Sequence, residues 1–329
     1  MKKKLLCIAL AFVFTVGLGL TAQAEDLALP APSCILMEKD TGQILYEENA
    51  HEKLRPASVT KIMTLLLVMG AIDDGRLHYE DMLSASDHAA SMGGSQMYLE
   101  PGEQHTVEEL LKGVIMASAN DGAAALAEHL SGSVEEFVDD MNAKAAEMGL
   151  KNSHFVNTNG LPVAKHYSCA YDIGMICRQL MTYEFARDWF TAWQEDIKVG
   201  LPGKEKDFTL TNTNKMIRTY KGAIGGKTGF TQDAGYCLAE AAQRDSTRMI
   251  AVVLGCKDSK VRFAETARLL DHGFASYETV PVAKKGQKLR TITLPKSDQQ
   301  EVAAVPEETI AATVKKGKKA NITKKISID

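Results

Sequence analysis

The fold of this chain is decided by PASVTKIMTLLLVMG, residues 56–70. From Ile62 onward this stretch is apolar on nearly every side, with Thr64 as the exception. A helix on a protein surface keeps a polar face, so a helix without one belongs in the middle of a domain. Its spacing places Ser58 and Lys61 on one face at the helix start. Since a lysine is seldom buried without a partner, this pair indicates chemistry.

Strand patterns flank this central helix on both sides in the sequence. Residues 33–46 predict a β-hairpin, and residues 236–239 and 248–254 predict two neighbouring antiparallel strands. Helical spacing recurs between and after these strands, at residues 107–116, 134–148, 171–180 and 263–274. Strands at both ends with helices between them predict an α+β fold, in which helices cover one antiparallel sheet.

The two ends of the chain differ from this central region. Residues 1–24 combine three lysines, an apolar run and Ala22-Gln23-Ala24, which predicts a signal peptide cleaved on export across the cytoplasmic membrane. A retained membrane anchor is the disfavoured alternative, because the apolar run is short for a bilayer span. Residues 25–276 form the predicted catalytic domain. Residues 277–329 form a small or incomplete β-rich domain, with strands predicted at 289–294, 309–314 and 326–328.

Charge is unevenly distributed along the chain. The formal net charge is −4 at pH 7, but residues 281–329 are basic while 25–280 are acidic. An acidic catalytic region argues against nucleic acid as a partner. The basic C-terminal region would allow contact with a membrane surface or an anionic wall polymer, although a solvated polar surface is the simpler interpretation.

The cysteines follow neither a disulfide nor a zinc pattern. Of the 6 cysteines, Cys7 lies in the predicted signal peptide. The others form no CxxC pair and are placed at Cys34, Cys169, Cys177, Cys237 and Cys256. Most of them lie among apolar or small residues, where cysteine behaves as a small core side chain. We therefore expect no metal and no cofactor.

Three short motifs occur in the order S-x-x-K, S-x-N and K-T-G. They are Ser58-Val59-Thr60-Lys61, Ser118-Ala119-Asn120 and Lys227-Thr228-Gly229. Either of the first two alone is weak evidence in a chain of this length, whereas the ordered set is specific. The second motif is expected in a loop after a helix. The third is expected at the start of a strand, where glycines let a peptide substrate approach the sheet edge.

Ser58 and Lys61 match a nucleophile and its base. A serine hydroxyl is a poor nucleophile until an adjacent base takes its proton. Lysine serves as that base only in its neutral form, which burial and a second cation such as Lys227 would favour. Backbone amides at the helix N-terminus would then help to hold a developing oxyanion. The residues thus predict a serine acyl-enzyme.

The three motifs resemble those of the low-molecular-mass penicillin-binding proteins, which are serine D-alanyl-D-alanine carboxypeptidases with a β-lactamase/transpeptidase-like fold. The resemblance covers residues 30–275 and includes segments 56–64, 118–121, 159–161, 166–172 and 225–236. It implies acylation of the serine by the penultimate D-Ala carbonyl of peptidoglycan stem peptides, release of the terminal D-alanine, and hydrolysis. It also implies that β-lactam antibiotics are covalent inhibitors.

The resemblance assigns roles around the reacting bond. Ser58 would be the nucleophile and Lys61 the base. Ser118 would assist proton transfer, and Asn120 would position the substrate. The backbone amides of Ser58 and Phe230 would form the oxyanion hole.

A second group of residues would hold the substrate's terminal carboxylate. Lys227 and Thr228 would bind it, with Gly229 allowing close approach. Arg248 resembles the arginine that the family places near the carboxylate, and an ordinary strand-end charge is its alternative role. Asn159 stands where the family often has histidine, so it receives no role. An amphipathic membrane-anchoring helix often follows the second domain of relatives, and this sequence stops at Asp329 without one, so either the anchor is absent or the sequence is incomplete.

Three rival functions use the same motifs. A class A β-lactamase needs a glutamate to activate the deacylating water, and residues 148–183 contain none. A D,D-endopeptidase or transpeptidase would use the same residues on a different bond or acceptor. A non-catalytic wall-binding protein would not need an intact motif set.

Overall fold

The computed structural model describes residue 27 and residues 29–183, 187–293 and 301–317. The strands in this part of the chain are β1 (Ser33–Glu38), β2 (Ile44–Glu48), β3 (Met82–Ser84), β4 (Gln104–Thr106), β5 (Gln194–Val199), β6 (Lys206–Thr211), β7 (Ala223–Thr231), β8 (Gly235–Arg244), β9 (Thr247–Cys256), β10 (Tyr277–Ala283), β11 (Arg290–Thr293), β12 (Glu301–Ala304) and β13 (Ile310–Lys315). Five of them form one antiparallel sheet in the order β2-β1-β9-β8-β7.

Helices cover both faces of this sheet. They are α1 (Lys61–Asp73), α2 (Asp87–Ala90), α3 (Val107–Lys112), α4 (Asn120–Ser131), α5 (Val134–Glu147), α6 (Ala170–Leu180), α7 (Arg187–Thr191), α8 (Met216–Thr219) and α9 (Ser259–Ser276). Alternate residues of β9 divide between two cores, because successive side chains point to opposite faces. Ile250 and Val252 join the core that contains α1 and α6, whereas Met249 and Ala251 join the core that contains α9.

The central helix α1 is buried as its sequence predicts. Leu65 and Leu66 are almost completely inaccessible, and such burial contributes about 1.5–3 kcal/mol for each side chain. A short 3-10 turn over Ala57–Thr60 leads into α1, so Ser58 stands on a tight turn immediately before the helix proper. This turn packs against the edge strand β7, which brings the first and third motifs together.

The C-terminal segment begins with β10, which pairs with β13. It meets the end of the central sheet where the Thr313 hydroxyl lies 3.3 Å from Glu38 Oε2 and the Thr279 amide donates to Thr247 Oγ1 at 2.9 Å. The β-rich character predicted for this segment is confirmed, and β10 and β12 are additional strands. The strand predicted at residues 326–328 and the predicted signal peptide lie outside the described residues.

Most of the predicted elements are confirmed, with corrections. Asn120, predicted to lie in a loop, is the first residue of α4. The K-T-G motif, predicted at the start of a strand, lies in the second half of β7. The short hairpins β3–β4 and β5–β6 were not predicted. Over the described residues, no helix combines the length and apolar character needed to cross a bilayer.

Candidate active site

Ser58 and Lys61 meet at the start of α1. The Lys61 side chain is completely buried, and its Nζ lies 3.2 Å from Ser58 Oγ. Ala57, just before the serine, has a φ of 48°, a left-handed conformation that costs free energy in a residue with a side chain. This conformation is part of the turn that presents Ser58 at the N-terminus of the helix.

Two carbonyl oxygens surround the Lys61 amine. Nζ donates to Asn120 Oδ1 at 2.6 Å and to the Asn159 backbone carbonyl at 3.0 Å. Neither oxygen can donate a hydrogen bond, so both must accept from the lysine. A neutral amine has two hydrogens and one lone pair. With both hydrogens directed at these oxygens, the lone pair is left for the Ser58 hydroxyl, as a general base requires.

The electrostatic environment favours the neutral amine. Burial is the main cause that lowers the pKa of Lys61 well below its usual value, and the nearby Lys227 cation lowers it further. The buried Asp121 opposes these effects in part. Burial and the second lysine therefore favour the neutral form that a base needs.

Asn120 is held in the orientation that this arrangement requires. Its Nδ2 donates to the Gly93 carbonyl at 2.6 Å, which leaves Oδ1 for Lys61. Two residues earlier, Ser118 is in the left-handed conformation with a φ of 63° at the end of a π-helical turn. The Ser118 hydroxyl is buried and has no hydrogen-bond partner among the described residues, so it is available to a substrate or a water.

The loop over residues 157–160 closes the other side of Lys61. Thr64 Oγ1 donates to the Thr158 carbonyl at 2.6 Å, which anchors the loop along α1. A Cβ on Gly160 would lie 1.8 Å from the Ala57 carbonyl oxygen, so only glycine permits this approach. The Gly160 amide donates to Asn157 Oδ1 at 2.7 Å, and the Leu161 amide donates to Asn159 Oδ1 at 3.0 Å. Asn159 was assigned no role because the family often has histidine at this position, yet its backbone carbonyl accepts from Lys61, a contact that does not depend on the side chain.

His166 joins this loop to the nucleophile turn. Its Nδ1 accepts from the Val156 amide at 3.1 Å, so Nε2 carries the proton and donates to Thr60 Oγ1 at 2.8 Å. Burial lowers the pKa of His166 to about 4, with smaller contributions from His154 and Arg55. The imidazole is therefore neutral and acts here as a fixed donor.

The edge strand β7 forms the opposite wall of the site. Lys227 is completely buried, and burial together with the Arg262 cation lowers its pKa to about 7. The Thr228 hydroxyl donates to Thr213 Oγ1 at 2.7 Å. A Cβ on Gly229 would lie 3.0 Å from the Ser58 amide nitrogen, so the glycine lets β7 approach the nucleophile turn. The next residue along β7 is Phe230, whose ring is half exposed.

The structure does not place Arg248 at this wall. Arg248 is paired with Gln243 across β8 and β9, five positions along β8 from Leu238, the partner of Thr228. At about 3.3 Å per residue, this separates the backbones of Arg248 and Thr228 by about 16 Å along the strand direction. Its guanidinium forms an ion pair with Asp40. The expectation that Arg248 lies beside the carboxylate site is therefore corrected.

Arg262, on α9, occupies the place expected of Arg248. Its Nη1 donates to the Gly229 carbonyl at 3.2 Å, and its guanidinium lies over the rings of Tyr236 and Phe263 at 5.4 and 4.4 Å. The sequence could have indicated that Arg262 is buried, because it shares one face of α9 with Thr266, Leu269 and Gly273. A cation on an apolar helix stripe is unusual enough to indicate a function.

Comparison with known proteins identifies the class of enzyme. The family model for D-alanyl-D-alanine carboxypeptidase, Peptidase_S11, matches residues 20–258, and that for the penicillin-binding protein 5 C-terminal domain matches residues 277–329. The chain belongs to the D-alanyl-D-alanine carboxypeptidase family and is a serine peptidase.

Individual relatives agree with this assignment. The chain is 44% identical over 303 residues to the D-alanyl-D-alanine carboxypeptidase DacF of Bacillus subtilis, covering 92% of this chain and 77% of that protein. It is 34% identical over 319 residues to DacC of Escherichia coli, with the same shares covered. The structure matches penicillin binding protein 5 of Haemophilus influenzae with a TM-score of 0.77 and 31% identity, over 88% of this chain and 84% of that one.

Proposed function

We propose that this enzyme removes the terminal D-alanine from peptidoglycan stem peptides through an acyl-enzyme on Ser58. The observation that carries the proposal is the placement of the Lys61 amine. It lies within hydrogen-bond distance of two carbonyl oxygens and of Ser58 Oγ, so the neutral amine would donate to the two carbonyls and direct its lone pair at the serine hydroxyl. No further base is needed for acylation.

The acylation step follows from this geometry. Lys61 takes the Ser58 proton as Oγ bonds to the carbonyl carbon of the penultimate D-alanine. The backbone amides of Ser58 and Phe230 stabilise the negative charge on the tetrahedral oxygen. The proton then passes to the nitrogen of the terminal D-alanine, with Ser118 as a relay, and the C–N bond breaks. Water attacks the ester by the same route in reverse and restores Ser58.

The substrate's terminal carboxylate is bound at the β7 wall. Lys227 supplies a cation, and Arg262 supplies a second positive charge beside the Gly229 carbonyl. The Thr228 hydroxyl, which donates to Thr213 Oγ1 in the free enzyme, would turn to donate to the carboxylate. The second Nδ2 hydrogen of Asn120, which the Gly93 contact does not use, would donate to the substrate's backbone. β-Lactams carry a carboxylate near the reactive carbonyl, which accounts for the same residues binding them as covalent inhibitors.

A transpeptidase activity at the same site is the second candidate. The structure matches the Streptomyces K15 DD-transpeptidase with a TM-score of 0.70 and 30% identity, over 75% of this chain and 98% of that one. Both reactions share the acyl-enzyme and differ in whether water or an amine accepts the acyl group. Product analysis with and without an added acceptor amine separates them.

The place of action follows from the two ends of the chain. Removal of residues 1–24 on export would put the catalytic domain, 25–276, at the cell wall where its substrate is. The basic composition of the C-terminal domain, 277–329, would favour contact with an anionic membrane surface. Protein fractionation with and without this domain tests the membrane contact.

Mass spectrometry after incubation with benzylpenicillin tests the catalytic proposal. We expect a covalent adduct on the peptide that contains Ser58, and no adduct on a Ser58→Ala variant. An unmodified wild type that leaves penicillin intact would show that the site is inactive. Rapid hydrolysis of penicillin without an adduct would show a β-lactamase.

A further inference from the structure

One exposed aromatic residue beside the active site has no role in the reaction described above. Tyr98 is 67% exposed, and its φ of 65° places it in the left-handed region that a residue with a side chain seldom adopts. Strain of this kind persists only where the surrounding structure imposes it, and it is concentrated at functional sites.

The strain at Tyr98 is imposed by Asp121. The buried Asp121 carboxylate accepts from the Met97 amide at 3.0 Å and from the Leu99 amide at 3.1 Å, on either side of the tyrosine. The Met97 side chain is buried against Gly113 and Gly122. The chain is therefore fixed before and after Tyr98, and the ring is directed away from the core.

The same segment forms the rim of the active site. Asn120, which contacts Lys61, donates from its backbone amide to the Ser95 carbonyl at 2.7 Å and from its side chain to the Gly93 carbonyl. Tyr98 is three residues beyond Ser95, a reach of about 10 Å at most. Phe208, on β6, contacts the Tyr98 ring edge-on at a centroid distance of 6.0 Å and leaves much of the ring open.

We propose that Tyr98 forms a subsite for the side chain of the stem-peptide residue that immediately precedes the two D-alanines. The proposal rests on the carboxypeptidase function. An extended substrate advances about 3.3 Å per residue, so this side chain would lie near the rim that Asn120 holds when the penultimate carbonyl is at Ser58. The open ring suits a long aliphatic side chain, because it offers apolar area at little cost in side-chain entropy.

The test compares two substrates that differ only in this side chain. They are Nα,Nε-diacetyl-L-Lys-D-Ala-D-Ala and Nα-acetyl-L-Ala-D-Ala-D-Ala. We expect Tyr98→Ala to lower kcat/KM for the lysyl peptide about tenfold more than for the alanyl peptide, as lost apolar contacts do in a specificity pocket. Tyr98→Phe keeps the ring and is expected to keep the wild-type preference.

Met82→Ala is the matched control, because Met82 is also an exposed apolar side chain, on β3, with 55% of its surface accessible. It is expected to leave the preference unchanged. An equal loss on both peptides in Tyr98→Ala, or an unchanged ratio, would overturn the subsite. A wild type that forms the Ser58 adduct but prefers neither peptide would also overturn it. If the wild type forms no adduct and cleaves neither peptide, the carboxypeptidase proposal itself is wrong.

Discussion

The two buried lysines of the active site have different surroundings. Lys61, at the start of α1, is within hydrogen-bond distance of Ser58 Oγ, Asn120 Oδ1 and the Asn159 carbonyl. Lys227, on β7, donates to the carbonyl of its neighbour Thr228 at 3.1 Å. In the described part of the chain, no carboxylate lies within ion-pair distance of either amine.

The different surroundings suit the two lysines to different tasks. The protein itself supplies the oxygens around Lys61, so the amine is oriented before substrate arrives. Among the described residues, Lys227 has a backbone carbonyl beside it but no carboxylate, and a buried cation without a counter-ion is unfavourable. Its charge is therefore balanced only when an anion binds. A carboxylate that binds there would stabilise the charged form of Lys227. The first lysine is thus suited to proton transfer and the second to substrate binding.

Removal of the base should have the largest effect. We expect Lys61→Ala to slow acylation by benzylpenicillin about 10³-fold, in line with the loss of a general base. Stopped-flow or gel-based acylation rates measure this. Thermal unfolding of the variant checks that the fold is retained. Near-normal acylation would mean that Lys61 is not the base and that the contrast with Lys227 is wrong.

Removal of Lys227 should have a smaller and selective effect. We expect Lys227→Ala to lower kcat/KM about 10- to 100-fold for a peptide with a free terminal carboxylate, since hydrogen bonds to charged groups contribute about 1.5–3 kcal/mol. The same peptide with a C-terminal amide should be cleaved at nearly the same low rate by both proteins.

Lys215→Ala provides the control for this comparison, because Lys215 is an exposed lysine in the segment that leads to β7. An equal loss on the acid and the amide in Lys227→Ala would show that Lys227 acts on the reacting bond and not on the carboxylate.

The smallest effect concerns a buried carboxyl group on β8, the strand that pairs with β7. Glu240 lies opposite Gly226, where it accepts from Asn214 Nδ2 at 2.6 Å, and burial raises its pKa to about 8. The folded protein thus keeps a proton that the unfolded chain loses above its usual pKa of 4.5. The free energy of unfolding should fall as the pH rises toward 8, by at most about 1.4 kcal/mol per pH unit.

Glu240→Gln should remove this decline. Urea unfolding at about pH 5 and about pH 6 measures the change below the pKa of about 7 of Lys227. If Glu240 were instead an ionised partner of Lys227, the substitution would destabilise the protein at the higher pH. That result would contradict the interpretation that Lys227 has no counter-ion among the described residues and is suited to binding the substrate's carboxylate.

Much of the site could be predicted because its decisive signals are local. The three-residue spacing of Ser58 and Lys61 fixes their contact, and the apolar run after them fixes their burial. The K-T-G motif lies on β7, and the next two strands in the sheet, β8 and β9, follow it directly in sequence. Its position in the sheet could therefore also be predicted.

The arginine could not be predicted in the same way. The position of Arg248 depends on the register of β8 against β9, and sequence alone does not give that register. Arg262 reaches the site from a helix on the other face of the sheet, through a contact between residues 33 positions apart. The start of α4 was missed for a related reason. Asn120 has the side chain of a turn residue but is held by Gly93 and Lys61, which are distant in sequence.

The loop beside Lys61 also bears on how long the enzyme lasts. Asn159 and Gly160 form the Asn-Gly pair that is chemically the most prone to deamidation, through attack of the glycine nitrogen on the asparagine side chain. Here the Gly160 nitrogen donates to Asn157 Oδ1, while Asn159 Oδ1 accepts from the Leu161 amide. The nucleophile of the ring-closing step is thus engaged in another hydrogen bond, and the asparagine side chain is fixed in orientation. The hydrogen bonds that hold this loop thus disfavour deamidation of Asn159, whose backbone carbonyl orients the Lys61 amine.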